Sequence, residues 1–352
     1  QVVGSVAAST EAEIEAAIAS SHAAFKGAWA NMTPAERERI LFRFADLLEA
    51  HGEEIAQIET AQSGKLIGLS RVIETAWSAR WLRYYAGWAT KIAGETLTPS
   101  FPSMQGERYT SMTLRQPLGV VFCIIPWNFS VMIPVWTFGA ALATGNTVLL
   151  KSSGYTPLAL MRVAELGTEA GLPPGALNVI NGRGAIGSRI IHDPRVAKVS
   201  LTGSVQTGHI VGREAVDENF TRCTLELGGK NPAAFLPDTP IAKILDGILE
   251  AGFLHCGQVC ASAERFFVHR SQIDEVLAQM KARLESLAPA DPMDETGLVG
   301  PVANQAQYEK CLEAFAKARR DGDEIVTGGE AYDCPGLYIR PTIVRPKSLA
   351  SA

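Results

Sequence analysis

Short apolar segments alternate with amphipathic segments through the middle of this 352-residue chain. Apolar runs of strand length, separated by stretches of helix length, predict a parallel sheet whose crossover connections are helices. The alternation restarts after Gly228 and Gly229, so we expect a second α/β unit beyond a boundary near residues 228–230. The first unit is assigned strands 119–125, 147–150, 177–180, 199–201 and 224–227 with helices 157–170 and 205–216, and the second is assigned strands 233–236 and 266–268 with helices 241–254, 272–287 and 304–321.

The composition narrows the class of protein. With 47% hydrophobic and 20% charged residues the chain is globular, which excludes a disordered chain, a coiled coil and a collagen-like repeat. A formal net charge of -5 disfavours a nucleic-acid or anionic-membrane partner, which requires a basic surplus. No apolar run reaches the ~18 residues of a membrane span, no secretory signal is visible, and 6 cysteines are too few for a disulfide scaffold. We therefore expect a soluble cytoplasmic protein without a metal site.

Two glycine clusters are candidates for a phosphate-binding loop. Residues 182–187 match G-x-G-x-x-G between a strand and a helix, but the acid expected about 20 residues later is missing, so the match is partial. Residues 203–208 also lie between a strand and a helix, where free backbone N–H groups attract an anion. Each cluster alone is more often a tight turn, but two on adjacent strand-to-helix connections favour a nucleotide site.

Three polar residues near the ends of apolar segments are candidates for chemistry. Cys260 follows a long apolar helix, Glu226 is the one acid in an apolar strand, and Asn128 follows a buried strand, where active-site loops emerge. Most cysteines are buried structural thiols. A nucleophilic thiol needs a base and oxyanion donors nearby in space, and Glu226 and Asn128 are candidates for those two roles.

Taken together, these motifs resemble the NAD(P)-dependent aldehyde dehydrogenase superfamily, and in particular phenylacetaldehyde and general aldehyde dehydrogenases. The matching segments run through essentially the whole chain in the family's order and spacing: residues 126–129, Lys151, 203–208, 225–232 and 257–260. The resemblance implies an α/β fold with a Rossmann-type parallel-sheet cofactor domain and a second α/β catalytic domain. It assigns residues 1–98 and 118–228 to the NAD(P)-binding domain, 99–117 to an oligomerisation hairpin and 229–352 to the catalytic domain.

The resemblance also implies a reaction. Cys260 is the nucleophile that attacks the aldehyde to give a thiohemiacetal, and the Asn128 amide and the Cys260 backbone N–H form the oxyanion hole. Hydride transfer to NAD(P) then leaves a thioester, and Glu226 is the general base for the water that hydrolyses it. Because an unperturbed glutamate titrates near ~4.3, a base working near neutrality needs some burial, which the apolar neighbours of Glu226 lead us to expect.

Further positions are implied for the cofactor and the substrate. The cofactor residues are Lys151, Trp127, Gly203, Ser204, Gly208, Gly182, Gly187, Leu227 and Gly228, with the ribose on Lys151 and the pyrophosphate at Trp127 and Ser204. An apolar substrate tunnel is implied for Phe129, Met132, Ile133, Trp136 and Leu254. Such a tunnel favours a medium-chain or arylaliphatic aldehyde such as phenylacetaldehyde over a charged semialdehyde, for which an Arg or Lys is expected.

Two departures from the family pattern leave alternatives open. Gly154 stands where the family commonly has an acid, which removes an acceptor for the ribose and a charge that repels a 2′-phosphate. NAD is favoured over NADP because no Arg in this loop is placed to bind that phosphate. The chain also stops before the family's Glu-x-Phe-Gly-Pro segment and oligomerisation strand, so we interpret it as lacking the C-terminal part. A coenzyme A-acylating enzyme and a non-catalytic nucleotide-binding fragment remain alternatives, and a homo-oligomer is expected for full-length relatives only.

Overall fold

The computed structural model describes residues 2–100, 104–217 and 219–348, and it begins with a group of helices. Thr10 and Glu13 form a reciprocal capping box at the first helix, and Thr33 and Glu36 do the same at the second, with Pro34 in its first turn. The sequence signature of such a box, a Thr three residues before a Glu, stands at both helix starts. The group comprises α1 (Glu11–Lys26), α2 (Pro34–Ala50), α3 (Gly52–Ser63), α4 (Ile67–Leu69) and α5 (Ser78–Trp88), with a π-helical segment (Ser70–Trp77) between the last two.

An exposed antiparallel strand pair follows these helices. β1 (Thr96–Leu97) pairs with β2 (Ser111–Met112), and the side chains of Leu97 and Met112 are exposed. The first strand lies just before the predicted hairpin 99–117, whose residues 101–103 are outside the described residues. The oligomerisation role of this hairpin stays a prediction.

Five parallel strands form the central sheet of the first unit. Its elements are β3 (Val120–Ile124), α6 (Met132–Ala143), β4 (Thr147–Lys151), α7 (Leu158–Ala170), β5 (Leu177–Ile180), α8 (Gly184–Ile191), β6 (Val196–Gly203), α9 (Val205–Asp217) and β7 (Arg222–Leu227). The strand order is β5-β4-β3-β6-β7. The chain therefore adds β4 and β5 on one side of β3 and then adds β6 and β7 on its other side. Ligands of such sheets bind at the carboxyl ends of the strands, beside this reversal.

Helices cover the sheet on both faces, and this explains the continuous apolar runs of its inner strands. On one face Val121 and Val148 join a core with α2, α5, α6 and α7, in which the rings of Phe44 and Phe138 stack with centroids 5.5 Å apart. On the other face Phe122 and Leu149 pack with residues of α1, α8 and α9. The edge strand β7, by contrast, contains only exposed and half-buried residues.

The second unit is smaller and less buried. It contains β8 (Asn231–Phe235), α10 (Ile241–Gly252), β9 (Ala263–Val268), α11 (Ile273–Glu285), α12 (Gln305–Asp321), β10 (Glu324–Thr327) and β11 (Ile343–Arg345). β8 and β9 pair in parallel, β10 and β11 antiparallel. Its core is a cluster of six buried residues on α10 and α11. The predicted boundary at 228–230 falls between β7 and β8, and residues 349–352 of the assigned domain are outside the described part.

The α/β class predicted from the alternating pattern is confirmed by this architecture. Within the described part of the chain, no helix combines the length and the apolar character that a membrane crossing requires.

Candidate active site

Asn128 lies in the loop that follows β3, beside the reversal of strand order. Its half-buried side chain donates a hydrogen bond from Nδ2 to the Gln258 carbonyl oxygen over 2.9 Å. Gln258 lies two residues before Cys260, so this bond joins the sheet's loop to the segment that carries the thiol. An amide donor fixed beside a thiol is the element that an oxyanion hole requires.

Cys260 follows a strained turn. The helix predicted to reach residue 254 ends at Gly252, because residues 254–257 form a tight 3-10 turn. Three consecutive residues of that turn have left-handed backbones: His255 (φ 50°), Cys256 (φ 56°) and Gly257 (φ 75°). Only glycine adopts this region freely, and each other residue costs on the order of 1–2 kcal/mol. Strain of this size persists where the surroundings impose it, commonly at functional sites.

The surroundings of the turn supply that restraint. The Gln258 side chain donates to the His255 carbonyl over 3.1 Å and accepts from the Ala303 backbone over 2.9 Å. The Cys256 thiol donates to the Gly300 carbonyl over 3.2 Å. Beyond the turn, the exposed Cys260 is anchored at its own carbonyl by the Asn231 amide, 2.8 Å away. The thiol is therefore presented on a backbone that is held from both sides.

A cavity of about 790 Å³ brings the candidate nucleophile and base together. Cys260 and Glu226 both line it, together with Ile133 and Trp136 of α6. Glu226 pairs with Thr202 near the carboxyl ends of β7 and β6. The arrangement places a thiol, a carboxylate and an apolar wall around one space, as acyl chemistry at a cysteine requires.

The expected burial of Glu226 is wrong in this structure, because the residue is exposed. Its apolar sequence neighbours do not enclose it, since β7 is the edge strand and has a single neighbouring strand among the described residues. A carboxylate at this edge is open to solvent.

The predicted substrate residues separate into two groups. Ile133 and Trp136 line the cavity. Phe129 and Met132 are buried in a small apolar cluster, and Leu254 lies partly exposed in the strained turn. Two cations that sequence reasoning did not include, Arg115 and Lys198, also line the cavity.

Both cations lie toward the amino ends of the strands. Arg115 precedes β3, and Lys198 lies four residues before Thr202, the residue paired with Glu226. At roughly 3.3 Å per residue, Lys198 is about 13 Å along the sheet from the level of Glu226. The two cations of the cavity therefore lie toward the amino ends of the strands, away from the level of Glu226.

The predicted cofactor residues lie at or just beyond the carboxyl ends of the five strands of the sheet. The side chain of Lys151, the last residue of β4, is buried and packs beside Gly187, where an added Cβ lies 3.8 Å from the lysine Cδ. Burial lowers the pKa of the Lys151 ammonium. Its Nζ donates to the Ser152 carbonyl over 3.2 Å. The lysine stem thus runs in ordinary van der Waals range of position 187.

Ser204 caps α9 at the end of β6. Its hydroxyl accepts from the Thr207 backbone N–H over 3.1 Å. An added Cβ on Gly208 lies 2.8 Å from Leu227 Cδ2, so this glycine allows α9 to pack closely on β7. Strand-to-helix loops with these roles bind phosphate groups at the helix N-terminus. The other predicted positions are the half-buried Trp127, Gly203 at the end of β6, and the exposed Gly228.

A second cavity, of about 410 Å³, adjoins these loops. Ser152, Gly154, Gly182 and Arg183 line it, together with Asn181. Gly182 has φ 142°, and an added Cβ there lies 2.1 Å from Ile186, so this position requires glycine. The absence of an Arg from the Gly154 loop is offset in space, because the neighbouring loop brings Arg183 to the same cavity. Sequence reasoning missed this residue because it searched one loop only.

Sequence reasoning also missed a buried charged cluster behind Asn128. Lys65, Glu59 and Glu74 are all 0% exposed. The Lys65 ammonium lies 3.1 Å from a Glu59 oxygen and also contacts the Glu74 carboxylate. The available signal was that Glu59 and Glu74 share helical faces with the apolar Ile55 and Ile73.

The fold, the glycine loops and the Cys260–Asn128 arrangement are typical of a dinucleotide-dependent enzyme. Comparison with known sequences identifies the family. The chain belongs to the aldehyde dehydrogenase family, whose sequence profile matches residues 1–349. The resemblance drawn from the motifs is therefore confirmed.

Individual relatives agree with this assignment. The chain is 42% identical over 334 residues to phenylacetaldehyde dehydrogenase from Pseudomonas fluorescens, covering 94% of this chain and 66% of the relative. It is also 42% identical to betaine aldehyde dehydrogenase from Cereibacter sphaeroides, covering 95% of this chain and 67% of that relative. The chain thus spans about two thirds of the length of these relatives.

Solved structures confirm the fold. An NAD⁺ complex of aldehyde dehydrogenase from Bacillus cereus superposes with a TM-score of 0.91 at 35% identity, covering 96% of this chain and 68% of the other. Gamma-glutamyl-gamma-aminobutyraldehyde dehydrogenase from Burkholderia cenocepacia gives a TM-score of 0.93 at 32% identity, covering 100% and 71%.

Proposed function

We propose that this protein oxidises an aldehyde to its carboxylic acid, using a thiohemiacetal and a thioester on Cys260 and NAD(P) as hydride acceptor. The observation that carries the proposal is the hydrogen bond from Asn128 to Gln258 beside a cavity lined by Cys260 and Glu226. Together these observations support the assignment of a nucleophile, an oxyanion donor and a carboxylate to one site.

The first chemical step is addition of the Cys260 sulfur to the carbonyl carbon. The carbonyl oxygen gains the negative charge, and the Asn128 amide and the Cys260 backbone N–H are placed to stabilise it. One such donor contributes about 2.7–4 kcal/mol to the transition state. One of the two N–H groups of the Asn128 amide bonds to the Gln258 carbonyl, and the second is the proposed donor to the substrate oxygen.

The residues present fit a dinucleotide. Lys151 supplies a cation at the edge of the sheet, the capped N-terminus of α9 at Ser204 supplies backbone donors, and the cavity beside Gly154 offers space for a ribose. The cofactor supplies, when bound, the hydride acceptor that oxidises the adduct. NAD fits the family relationship to the Bacillus cereus complex, and Arg183 beside Gly154 favours acceptance of NADP as well.

Glu226 then acts as general base. It takes a proton from a water molecule whose oxygen attacks the thioester carbonyl, which releases the carboxylic acid and returns the Cys260 thiolate. Its exposure in this structure gives it access to water. A carboxylate in this position favours hydrolysis over transfer of the acyl group to coenzyme A.

We infer an apolar or arylaliphatic substrate. Ile133 and Trp136 line the cavity next to Cys260, while Lys198 lies too far along the sheet to pair with the carboxylate of a short semialdehyde. The similarity to phenylacetaldehyde dehydrogenase supports the same class. Comparing kcat/KM for phenylacetaldehyde and succinic semialdehyde tests this inference, and a preference for the charged substrate contradicts it.

The reaction is tested by rapid mixing with phenylacetaldehyde and each cofactor while NAD(P)H is recorded. We expect a burst in the wild-type protein and none in Cys260→Ser. Cofactor binding without a burst, in a folded protein, favours the non-catalytic nucleotide-binding alternative.

Glu226→Gln separates hydrolysis from acyl transfer. We expect the burst to remain and steady turnover to fall, because only the second half of the reaction needs the base. Turnover that requires added coenzyme A and is unchanged in Glu226→Gln would identify the acylating alternative instead.

We also propose that the β1–β2 hairpin pairs with a second copy of the protein. The exposed side chains of Leu97, Met112 and Leu114 support this role. Light scattering after gel filtration should give a larger mass for wild type than for Leu97→Lys/Met112→Lys, and equal masses contradict the proposal.

A further inference from the structure

A charged cluster is sealed behind the Asn128 loop. Lys65, Glu59 and Glu74 are each 0% exposed, and together they contact one another through the Lys65 ammonium. Burying ions is costly, and an apolar substitute of similar shape is often as stable. The cluster therefore calls for an explanation other than stability of the core.

Each of the three side chains also contacts the segment that follows Asn128. Glu74 Oε2 accepts from the backbone N–H groups of Val131 and Met132 over 3.1 and 2.9 Å. Glu59 Oε2 accepts from the Ser130 hydroxyl. The Lys65 Nζ lies 4.5 Å from the centroid of the Phe129 ring. Four successive residues are thus held by three buried charges.

The same contacts reach the turn before Cys260. The Phe129 ring packs edge-on against the His255 ring, with centroids 5.7 Å apart. Glu74 also lies at the N-terminus of α6, where a carboxylate is favoured by the helix dipole. The cluster therefore fixes the start of α6, the Asn128 loop and one side of the strained turn as a single body.

We propose that Glu74, Glu59 and Lys65 are positioning residues that hold the Asn128 amide in place to stabilise an oxyanion on a Cys260 adduct. This inference rests on the proposed function. The three side chains touch neither Cys260 nor the cavity, so they act through the loop they hold. A displacement of about 1 Å at such a donor lowers the rate by roughly 10²-fold.

Two reactions of Cys260 separate positioning from general damage. Acyl transfer from p-nitrophenyl acetate passes through an oxyanion, whereas alkylation by iodoacetamide does not and depends on the thiolate alone. We expect Glu74→Gln to lower the acylation rate by about 10-fold or more and to change the alkylation rate by less than about 2-fold. Glu53→Gln is the matched control, because Glu53 on α3 pairs with Arg71 at an exposed site, and both rates should stay at wild-type values.

A double-mutant cycle tests whether Glu74 acts through Asn128. Asn128→Ala should lower acylation by about 10²–10³-fold, and adding Glu74→Gln to it should cause no further loss. If Glu74→Gln does not fold, Ser130→Ala takes its place in the cycle. Ser130→Ala removes one contact to Glu59, and we expect it to lower the acylation rate several-fold.

The outcomes are distinct. Equal losses of acylation and alkylation, additive losses in the cycle, or wild-type acylation in Glu74→Gln would each overturn the positioning role while the proposed function stands. Failure of wild-type Cys260 to be acylated, with alkylation intact, would remove the proposed function and this inference together.

Discussion

The Asn128 loop and the Cys260 turn carry two halves of one site, and they are built in opposite ways. The loop follows a strand whose first four residues are buried, and it is held by three buried charged side chains. The turn follows the 12-residue helix α10, holds three left-handed residues and leads to an exposed thiol. Burial therefore fixes the proposed oxyanion donor, whereas a restrained backbone presents the proposed nucleophile.

This difference has a chemical reason. A hydrogen-bond donor contributes most when it is fixed and shielded before the reaction begins. A nucleophile and a general base must instead reach substrate and water. Two predictions test this difference between the halves, and two further predictions concern the cofactor loops.

The largest expected effect is on the buried side. Lys65→Met leaves Glu59 and Glu74 buried without their cation, so the free energy of unfolding should fall by about 3–5 kcal/mol. Lys281→Met removes an exposed lysine that lies 3.9 Å from Glu285. This variant should change the free energy of unfolding by less than about 0.5 kcal/mol. Urea unfolding measures both. Similar values for the two variants would show that burial does not distinguish the cluster.

The second prediction compares thiols on the two sides. Burial raises the pKa of Cys123 to about 12 and that of Cys256 to about 11. At a given pH, a smaller fraction of each is therefore ionised to the reactive thiolate than for an ordinary cysteine. With iodoacetamide at pH 8, their thiolate fractions fall by roughly 10²–10³-fold relative to an unperturbed thiol. Peptide mass spectrometry should find the exposed Cys260 alkylated first, with labelling of the other two rising only as the pH approaches their pKa values. Early labelling of Cys256 would contradict its burial.

The third prediction concerns two glycines of one loop. Gly182→Ala introduces a Cβ 2.1 Å from Ile186 at a left-handed backbone and should lower the free energy of unfolding by about 1–3 kcal/mol. Gly184→Ala meets no heavy atom of the described residues within 4 Å and should be neutral within about 0.5 kcal/mol. Thermal unfolding of the two variants tests this predicted difference in stability. Equal shifts in Tm would mean that the loop does not depend on the backbone of Gly182.

The smallest expected effect is on cofactor choice. Gly154→Glu places a carboxylate in the cavity that Arg183 lines, and no heavy atom of the described residues lies within 4 Å of its Cβ position. Repulsion of a 2′-phosphate should weaken NADP relative to NAD by about 10-fold, or ~1.4 kcal/mol. The ratio of dissociation constants, measured by fluorescence titration, checks this. Gly154→Gln has the same size without the charge and should leave the ratio near the wild-type value.

Much of the fold could be predicted from local pattern. The strand over Leu177–Ile180 matches its prediction residue for residue, and the capping boxes at Thr10 and Thr33 mark true helix starts. These features depend on neighbouring residues alone, so periodicity and capping chemistry suffice to find them.

The features that sequence reasoning missed depend on distant contacts. Lys65 meets Glu74 through a π-helical segment, and Arg183 meets Gly154 through the pairing of β4 with β5. The exposure of Glu226 follows from the edge position of β7, which its apolar neighbours in sequence do not reveal. Such facts belong to topology, which local pattern does not encode.

The reversal of strand order also sets when the site can exist during folding. Val120 of β3 pairs with Thr147 early in the sequence and with Val196 much later. The crevice between β3 and β6 is therefore open until the second of these strands has docked, and loop closure over such a separation is slow. A nascent chain that has emerged only as far as β5 contains Lys151 and Asn128. It lacks β6 and β7, which complete the crevice where a dinucleotide would lie. We therefore expect cofactor affinity to appear only with the last strands of the sheet, so that binding would report that the sheet is complete.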